Sequence, residues 1–112
     1  MEKLNYDGIT SIKLDNIKAD EITKGITQHI LWENEDGKHT AIYKFEENSK
    51  LPFIDSHNLY DEHIYVISGV FNDGINNYEK GSYIVNPKGT AHLPQSQEGC
   101  TILVTYPYIK NT

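Results

Sequence analysis

The sequence predicts an all-β fold, an antiparallel sandwich or barrel, from two observations. Short apolar runs rich in β-branched and aromatic residues recur along the chain, and turn signals such as Asp36-Gly37 and Asp73-Gly74 separate them. Short strands with turns at roughly 8–12-residue spacing are typical of antiparallel sandwiches and barrels. A length of 112 residues suits one domain, so we expect a single domain over residues 1–112.

The strands of the predicted barrel begin at residue 26. The runs "ITQHILW" (26–32) and "HTAIYKF" (39–45) flank "ENEDGK", whose Asp-Gly pair predicts a hairpin. "EHIYVISGVF" (62–71) has apolar residues at both odd and even positions, which is expected of a strand buried on both faces or passing through a core. "GSYIVNP" (81–87) and "CTILVTYPY" (100–108) are the remaining predicted strands.

The N-terminal part of the chain differs from the barrel in pattern. "NIKADEIT" (16–23) is the one segment that looks helical, and it is short. We divide the domain into an N-terminal strand or arm over 1–24 and a barrel over 25–108. The run "ITSIKLDNI" (9–17) is a natural strand to add to a neighbour's sheet, and with it we expect a homodimer.

Charge and composition exclude several classes of function. The net charge is −6, and all ten basic residues are lysines. Nucleic-acid binding depends on clustered Lys and Arg, so we expect no nucleic-acid partner. A strongly anionic ligand is disfavoured, because the bidentate clamp that arginine provides is missing. No run is long and apolar enough to cross a membrane and the N-terminus has no signal-peptide pattern, so we expect a cytoplasmic location.

A regular spacing of turn residues leads to one histidine. In the stretch "GSYIVNPKGTAH", five residues separate Gly81 from Pro87, one residue separates Pro87 from Gly89, and two residues separate Gly89 from His92. The proline and the glycines set a rigid turn, which aims the imidazole of His92 by backbone geometry. This spacing resembles the start of the second motif of the cupin superfamily, whose closing Asn is replaced here by Ser96.

The first motif of that superfamily is matched in part. In that pattern, five residues separate an opening glycine from a first histidine, and one residue separates the first histidine from a second. Three or four residues then lead to a glutamate, and six more lead to a closing glycine. Read back from Gly69, it matches Glu62 and His57, but Asp55 stands in place of the first histidine and Ser49 in place of the opening glycine. If three residues instead of four precede Glu62, the two histidine positions fall on Ser56 and Asn58, which match the pattern less well.

Within the superfamily, the segment "EHIYVISGVFNDGINNYEKGSYIVNPKGTAHLPQSQEGC" resembles the ChrR-like cupins. That group includes the zinc-binding domain of certain anti-sigma factors and several small single-domain cupins. The resemblance implies a single cupin jelly-roll β-barrel, also called a double-stranded β-helix, with a metal inside the barrel. It also implies a small-molecule ligand in the barrel.

The residues themselves can support such a metal site. Asp55 and His57 are two apart on a strand and point to one face, while Glu62 begins the next strand and His92 comes from the second hairpin. Two imidazoles and two carboxylates can hold a divalent ion, with Zn²⁺, Fe²⁺, Mn²⁺ and Ni²⁺ as the candidates. Because Asp55 offers a carboxylate where the motif has an imidazole, the donor set is harder in the hard–soft sense, and zinc is less favoured as the bound ion. Glu62 has a second possible role, as a catalytic base that leaves the metal.

Simpler interpretations compete for each of these residues. His92 could be a hydrogen-bonded core histidine, His57 and Asp55 could be loop residues, and Glu62 could be a solvated strand end. His63 adjoins Glu62 on the strand, so its side chain is expected to point away, toward solvent or a partner subunit.

Five further residues are expected to be structural: His29 and His39 as ordinary strand residues, Cys100 as a buried unreactive thiol, and Trp32 and Tyr43 as core. Tyr65 and Tyr83 are likewise expected to fill the core.

Three functional hypotheses remain open at this point. The first is a metal-dependent enzyme, dioxygenase-like, acting on a small organic molecule. The second is a non-enzymatic ligand- or metal-sensing regulatory module. The third is a degenerate cupin without metal. Fold families of this kind host many unrelated activities, so the resemblance supports the fold more firmly than the function.

Overall fold

The structure is a computed structural model that describes residues 2–107. Within these residues the chain forms strands and one 3-10 turn (Leu14–Asn16) but no α-helix, which confirms the predicted all-β fold. The strands are β1 (Asp20–Thr23), β2 (Ile26–Glu33), β3 (His39–Phe45), β4 (Ser49–Lys50), β5 (Asp55–Ser56), β6 (Glu62–Asn72), β7 (Asn77–Glu79), β8 (Tyr83–Asn86), β9 (Ala91–His92), β10 (Gln95–Ser96) and β11 (Cys100–Thr105).

The strands form one curled antiparallel sheet with β6 at its centre. The order is β1-β2-β3-β11-β6-β10-β4, with β7 and β8 also paired to β6, while β5 and β9 form a separate two-stranded ladder. The first half of β6 pairs with β8 and β11, and its second half pairs with β7 and β10. One long strand therefore belongs to both walls of a half-closed barrel, as the predicted jelly roll requires.

The change of partners along β6 depends on Gly69. Its backbone has φ +74, and a Cβ built on it would lie 2.1 Å from the carbonyl oxygen of Gly99. The amide of Val70 donates to that same carbonyl at 3.2 Å. Only a residue without a side chain allows the strand to approach its neighbour this closely. The closing glycine of the first motif is therefore a structural requirement.

The predicted turns form where the sequence places them. Between β2 and β3, the side-chain oxygen of Asn34 accepts hydrogen bonds from the amides of Asp36 and Lys38. Between β6 and β7, a carboxylate oxygen of Asp73 accepts the amides of Ile75 and Asn76. These side chains satisfy the backbone groups that the turns leave unpaired.

The core occupies the concave side of the sheet. Phe71 is completely buried, and its ring meets that of Phe45 edge to face with centroids 5.9 Å apart. Burying a large aliphatic or aromatic side chain stabilises the fold by about 1.5–3 kcal/mol, so this layer supplies most of the driving force. The other principal members of the layer are Ile26, Ile64, Val66, Ile102 and Val104.

The helical prediction for 16–23 is wrong. Residues 20–23 form β1, which pairs antiparallel with β2 as an edge strand of the sheet. A segment this short cannot sustain a helix alone, since isolated helices below about 12–15 residues are marginal in water. Gly25, at φ +86, turns the chain so that β1 reaches the hydrogen-bonding groups of β2.

The expected burial of β6 on both faces is also wrong for the single chain. Ile64 and Val66 are buried, but Tyr65, pointing to the opposite face, is 42% exposed. Trp32 and Tyr83, expected in the core, are 59% and 60% exposed, and only Tyr43 of the four aromatic residues faces inward. Tyr65, Trp32 and Tyr83 therefore lie on the outer face of the sheet and not in the core.

The limits of the predicted segments fit the structure to different degrees. The last strand ends at Thr105, earlier than the predicted 108, and residue 108 lies outside the described residues. The predicted arm 1–24 contains β1, so its last residues pair with the sheet. Among residues 2–107, no helix is long and apolar enough to cross a membrane.

Candidate metal centre

Three elements bring the four predicted donors to one point at the open end of the barrel. Asp55 in β5 and His92 in β9 are direct cross-strand partners. His57 follows β5, and its backbone continues the ladder: its amide donates to the carbonyl of Thr90, and its carbonyl accepts the amide of Gly89. Glu62 is the first residue of β6. The donors are therefore held by paired backbone segments.

The donor atoms lie at the separations that one ion could bridge. His57 Nε2 is 3.0 Å from Glu62 Oε1 and 3.3 Å from Asp55 Oδ2. His92 Nε2 is 3.1 Å from Asp55 Oδ2 and 3.3 Å from Glu62 Oε1. One atom from each residue lies within 4.8 Å of all the others. Bonds of about 2.1 Å to a shared ion place neighbouring donors about 3–4 Å apart, so these separations suit a shared ion.

A buried nitrogen in this cluster lacks a hydrogen-bond partner. His57 is 5% exposed and Glu62 is 3% exposed, so both have been removed from water. Although His57 Nε2 lies close to two carboxylates, it makes no hydrogen bond of acceptable geometry with any residue from 2 to 107. Leaving a buried polar atom unpaired costs about 1–3 kcal/mol. A cation between the donors would remove that cost, so the residues present fit a metal ion.

The orientation of His57 is set by Thr90. The hydroxyl of Thr90 donates its single proton to the carbonyl of Pro87, at 2.6 Å. The same oxygen is 3.2 Å from His57 Nδ1, so it can only accept there, and Nδ1 carries the proton. In the neutral imidazole Nε2 is then a free lone pair directed at the cluster. Such an outer hydrogen bond is the usual way in which proteins orient a metal-binding histidine.

Two side chains hold the carboxylate of Glu62. The amide nitrogen of Asn86, directly opposite in β8, donates to Oε1 at 3.3 Å. The hydroxyl of Tyr106 donates to Oε2 at 3.3 Å. Oε1 is also the oxygen that faces both imidazoles, so the carboxylate is fixed with one oxygen toward the cluster.

The electrostatics of the metal-free cluster favour charged side chains. Burial lowers the pKa of His92, but the hydrogen bonds and charges of Asp55 and Glu62 outweigh this and raise it to about 9. Burial likewise pushes up the pKa of Asp55, yet its contacts with His92 and His57 hold that pKa below its usual range. Burial beside these carboxylates raises the pKa of Tyr106, so its hydroxyl keeps its proton and stays a donor to Glu62.

A small cavity inside the barrel opens onto the cluster. Its volume is about 160 Å³, and Asp55, Glu62 and His92 form one end of it. No lysine lines it in the described part of the chain, and the remaining walls are mostly apolar side chains such as Phe45 and Phe71. A wider surface groove of about 560 Å³ exists elsewhere, but none of the four donors lines it. Asp55 and His57 also line a separate pocket of about 270 Å³ beside Leu59 and Tyr60, so the cluster adjoins both that pocket and the smaller, apolar cavity.

The other histidines lie away from the cluster, as predicted. His63 points outward, where its ring nitrogen contacts the hydroxyl of Tyr83. His29 bonds to Thr27, and His39 bonds to Gln28 and Tyr43. Cys100 is buried, and burial raises the pKa of its thiol to about 11, which agrees with an unreactive thiol.

The supporting residues were not singled out from the sequence. Asn86 and Thr90 lie inside the second motif, between its glycines and His92, so their position was a usable signal. Tyr106 carried none, because it follows β11 in a run that looked like ordinary strand. Only the folded chain brings its hydroxyl to Glu62, 44 residues away in the sequence.

Comparison with known sequences places the chain in a family context. The ChrR Cupin-like domain family matches residues 9–109. None of the curated proteins matches the chain.

Solved structures agree on the cupin fold. A RmlC-like cupin from Shewanella frigidimarina NCIMB 400 superposes with a TM-score of 0.74 at 16% identity, over 88% of this chain and 90% of that one. A predicted oxalate decarboxylase from Thermotoga maritima gives 0.76 at 16% identity, over 89% and 100%. The anti-sigma ChrR complex with SigE from Rhodobacter sphaeroides gives 0.68 at 16% identity, over 85% of this chain and 52% of that one. At these identities the likeness establishes the fold alone.

Proposed function

This chain belongs to the ChrR cupin-like domain family, and from that premise we propose that it binds one divalent transition-metal ion through Asp55, His57, Glu62 and His92. The observation that carries the proposal is the convergence of four donor atoms within 4.8 Å, with a buried, unpaired His57 Nε2 directed at them. Two imidazoles and two carboxylates suit Zn²⁺, Fe²⁺, Mn²⁺ or Ni²⁺, and the second carboxylate moves the preference away from zinc.

We propose further that the site acts on a small organic molecule held in the adjacent cavity. A cavity of about 160 Å³ is smaller than the roughly 300–1,000 Å³ of sites for drug-sized ligands, so it favours a small molecule. The apolar walls favour a ligand with an apolar body and one polar head, and they disfavour sugars. The carboxylates offset the charge of a divalent ion, so a neutral or singly anionic head group fits best. A bound ion would supply Lewis acidity and open coordination positions for substrate, oxygen or water, as dioxygenase-like chemistry needs.

The side chains around the site have distinct roles in this proposal. Tyr106 and Asn86 keep Glu62 directed at the donors, and Thr90 keeps the Nε2 lone pair of His57 free. Because Glu62 is almost completely buried and held on both oxygens, we assign it as a ligand first. Its alternative role is a catalytic base, with Oε1 accepting a proton from a substrate in the cavity.

A second candidate is a non-enzymatic sensing module that uses the same site. The likeness to the anti-sigma ChrR favours it, although this chain spans about half the length of the ChrR-complex chain that it matches. In this alternative a metal or small ligand would bind without turnover. The third hypothesis, a cupin without metal, requires the four donors to converge without a function.

The first experiment measures metal content. Protein purified without chelator is analysed by inductively coupled plasma mass spectrometry, and we expect about one transition-metal ion per chain, as for a site with one donor set. His92→Ala should lose the ion while keeping the β circular dichroism spectrum, since Pro87 and Gly89 set the turn. His63→Ala is the matched control, because His63 adjoins Glu62 in sequence but points outward.

Each outcome separates the candidates. Equal metal loss in His63→Ala and His92→Ala, or no metal in protein refolded with excess Mn²⁺, Fe²⁺, Ni²⁺ or Zn²⁺, would reject the metal site. With metal present, turnover against a panel of small diketones, thiols and sugars tests the enzyme. Saturable binding of a panel member without product would favour the sensing module.

A further inference from the structure

The apolar cavity beside the donor cluster extends to the open side of the barrel. In the described chain, edge strand β1 pairs with β2 and edge strand β4 pairs with β10, so no ladder joins the two edges of the sheet. We call the gap between these two edges the seam. Ile22 of β1 and Phe53, which follows β4, both line the cavity. The cavity therefore runs from the donors to the seam.

One end of the seam is closed by contacts near the start of β4. The carbonyl of Gly25 accepts the amide of Glu46 at 2.8 Å, and a Cβ on Gly25 would lie 3.0 Å from the Cβ of Ser49. From this corner the chain runs back along β1 to Ile22, three residues from Gly25, and forward along β4 to Phe53, four residues from Ser49. The two side chains therefore lie at comparable distances from the corner, on opposite sides of the seam.

Both side chains at the seam are apolar and in contact with water. Phe53 is 55% exposed and Ile22 is 39% exposed. A single exposed apolar residue is ordinary on a protein surface. These two, however, also belong to the wall of a cavity whose deeper residues are buried and apolar. Apolar surface that continues from a cavity to the outside is typical of a ligand site at the mouth of a barrel.

The polar side chains of the cavity wall are already engaged within the protein. Among the described residues that line the cavity, the charged ones all belong to the donor cluster, and Tyr43 and Tyr106 carry the other polar side-chain groups. Gln28 Nε2 donates to the hydroxyl of Tyr43 at 2.6 Å, and the hydroxyl of Tyr106 donates to Glu62. A ligand with hydroxyl groups along its body would bury them without partners, which is unfavourable. The wall between the donors and the seam therefore suits a hydrocarbon body.

We propose that the ligand of the donor cluster carries an extended hydrocarbon chain, which leaves the barrel between Ile22 and Phe53. The inference rests on the proposed function, in which the metal site holds the polar head. Phe53 precedes Asp55 by two residues, which is roughly 6–7 Å along an extended strand. About five carbon–carbon bonds of ~1.5 Å, in a zigzag, cover that length. The small cavity thus limits the size of the head and leaves the length of the chain free.

The first test measures how affinity depends on chain length. Metal-loaded protein is titrated with acetohydroxamic, butyrohydroxamic and octanohydroxamic acid by isothermal titration calorimetry. The hydroxamate head binds a transition-metal ion in each of them, so only the chain varies. A buried methylene raises affinity roughly fourfold and a half-buried one about twofold. Over the added methylenes, we expect octanohydroxamic acid to bind about 15–250-fold more tightly than butyrohydroxamic acid, whose chain ends before the seam.

Variants on the two sides of the seam locate the chain. Phe53→Ala and Ile22→Ala should each weaken binding of octanohydroxamic acid about tenfold, and binding of acetohydroxamic acid by less than about twofold. The matched control is Ile54→Ala, because Ile54 adjoins Phe53 and is 66% exposed but does not line the cavity. Equal wild-type affinities for the butyl and octyl probes would overturn the proposal. An equal loss in Ile54→Ala and in the two seam variants would overturn it as well.

The second test uses no metal, so it separates this proposal from the proposed metal site. Chelator-treated protein, labelled with ¹³C at the isoleucine methyl groups, is titrated with 1-octanol and with 1-butanol and followed by NMR. We expect 1-octanol to shift the Ile22 methyl signal saturably. The signal of Ile75, which is 89% exposed in the β6–β7 turn, is the control and should not move. Half-saturation by 1-butanol should need at least about 15-fold more alcohol.

The two tests have distinguishable failures. If acetohydroxamic acid fails to bind metal-loaded protein while 1-octanol shifts the Ile22 signal, the metal site is rejected and the hydrocarbon site at the seam stands. If 1-octanol leaves the Ile22 signal unshifted, or shifts the Ile75 signal equally, the seam proposal is overturned whether or not the protein binds metal.

Discussion

Replacing Gly69 by alanine tests the close approach between β6 and the Gly99 carbonyl. The new methyl group would start 2.1 Å from Gly99 O and 2.7 Å from Cys100 Cα, both backbone atoms. Moving backbone to relieve such overpacking costs about 1–3 kcal/mol. The positive φ of +74 adds about 1–2 kcal/mol for any L-residue. We therefore expect Gly69→Ala to lower the free energy of unfolding by about 2–5 kcal/mol, a large part of the 5–15 kcal/mol of an ordinary domain.

Gly81→Ala separates the two contributions. Gly81 has φ +90, but a Cβ there would meet no atom within 4 Å, so only the backbone strain of about 1–2 kcal/mol remains. The assay is urea unfolding followed by circular dichroism. With a slope of roughly 1.5 kcal/mol/M, the Gly69→Ala midpoint should lie about 0.7–2 M below that of Gly81→Ala. Equal midpoints, or a lower one for Gly81→Ala, would refute the assigned contact between the two backbone segments.

Three further predictions concern the site and its surroundings. Thr90→Val removes the acceptor for His57 Nδ1 and should weaken metal binding about 10–100-fold, as measured by chelator competition. Thr105→Val, which loses a hydroxyl contact on the convex face, is the control and should leave the metal affinity unchanged. Equal metal affinities of the two variants would contradict the assigned orientation of His57. Cys100, whose pKa burial raises to about 11, should react with a thiol reagent only after urea unfolds the chain, and rapid native labelling would contradict its burial. Burial raises the pKa of Asp73, but hydrogen bonds from Asn76, Ile75 and Tyr78 outweigh it and hold that pKa below its usual range. The stabilisation is therefore present above the unfolded-state pKa of about 3.9 and lost as pH falls through the folded-state value, so Asp73→Asn should destabilise the chain more near pH 7 than near pH 3, and an effect independent of pH would contradict it.

Local pattern was sufficient for the longer strands β2, β3, β6, β8 and β11 and for the turns, whereas the four candidate donors were found through the resemblance to the cupin motifs. Alternating apolar residues and Asp-Gly pairs act over a few residues, so they predict strands and hairpins wherever distant contacts do not override them. The spacing from Gly81 to His92, and from His57 through Glu62 to Gly69, is equally local. The turn residues fix the path of the backbone before His92, and the resemblance to the two cupin motifs predicted that His57, Glu62 and His92 lie together.

What the tertiary structure decided involves groups far apart in sequence. Residues 20–23 became a strand because the edge of β2 offered hydrogen bonds that a short helix could not match. Tyr106 reaches Glu62 only once β11 lies beside β6, so no local signal marks it. Tyr65 looks like a core residue in the sequence, because an apolar side chain does not indicate whether its face of the sheet is packed against other residues. Burial is a property of the partner as much as of the residue, and only the folded chain shows which side of β6 its own barrel fills.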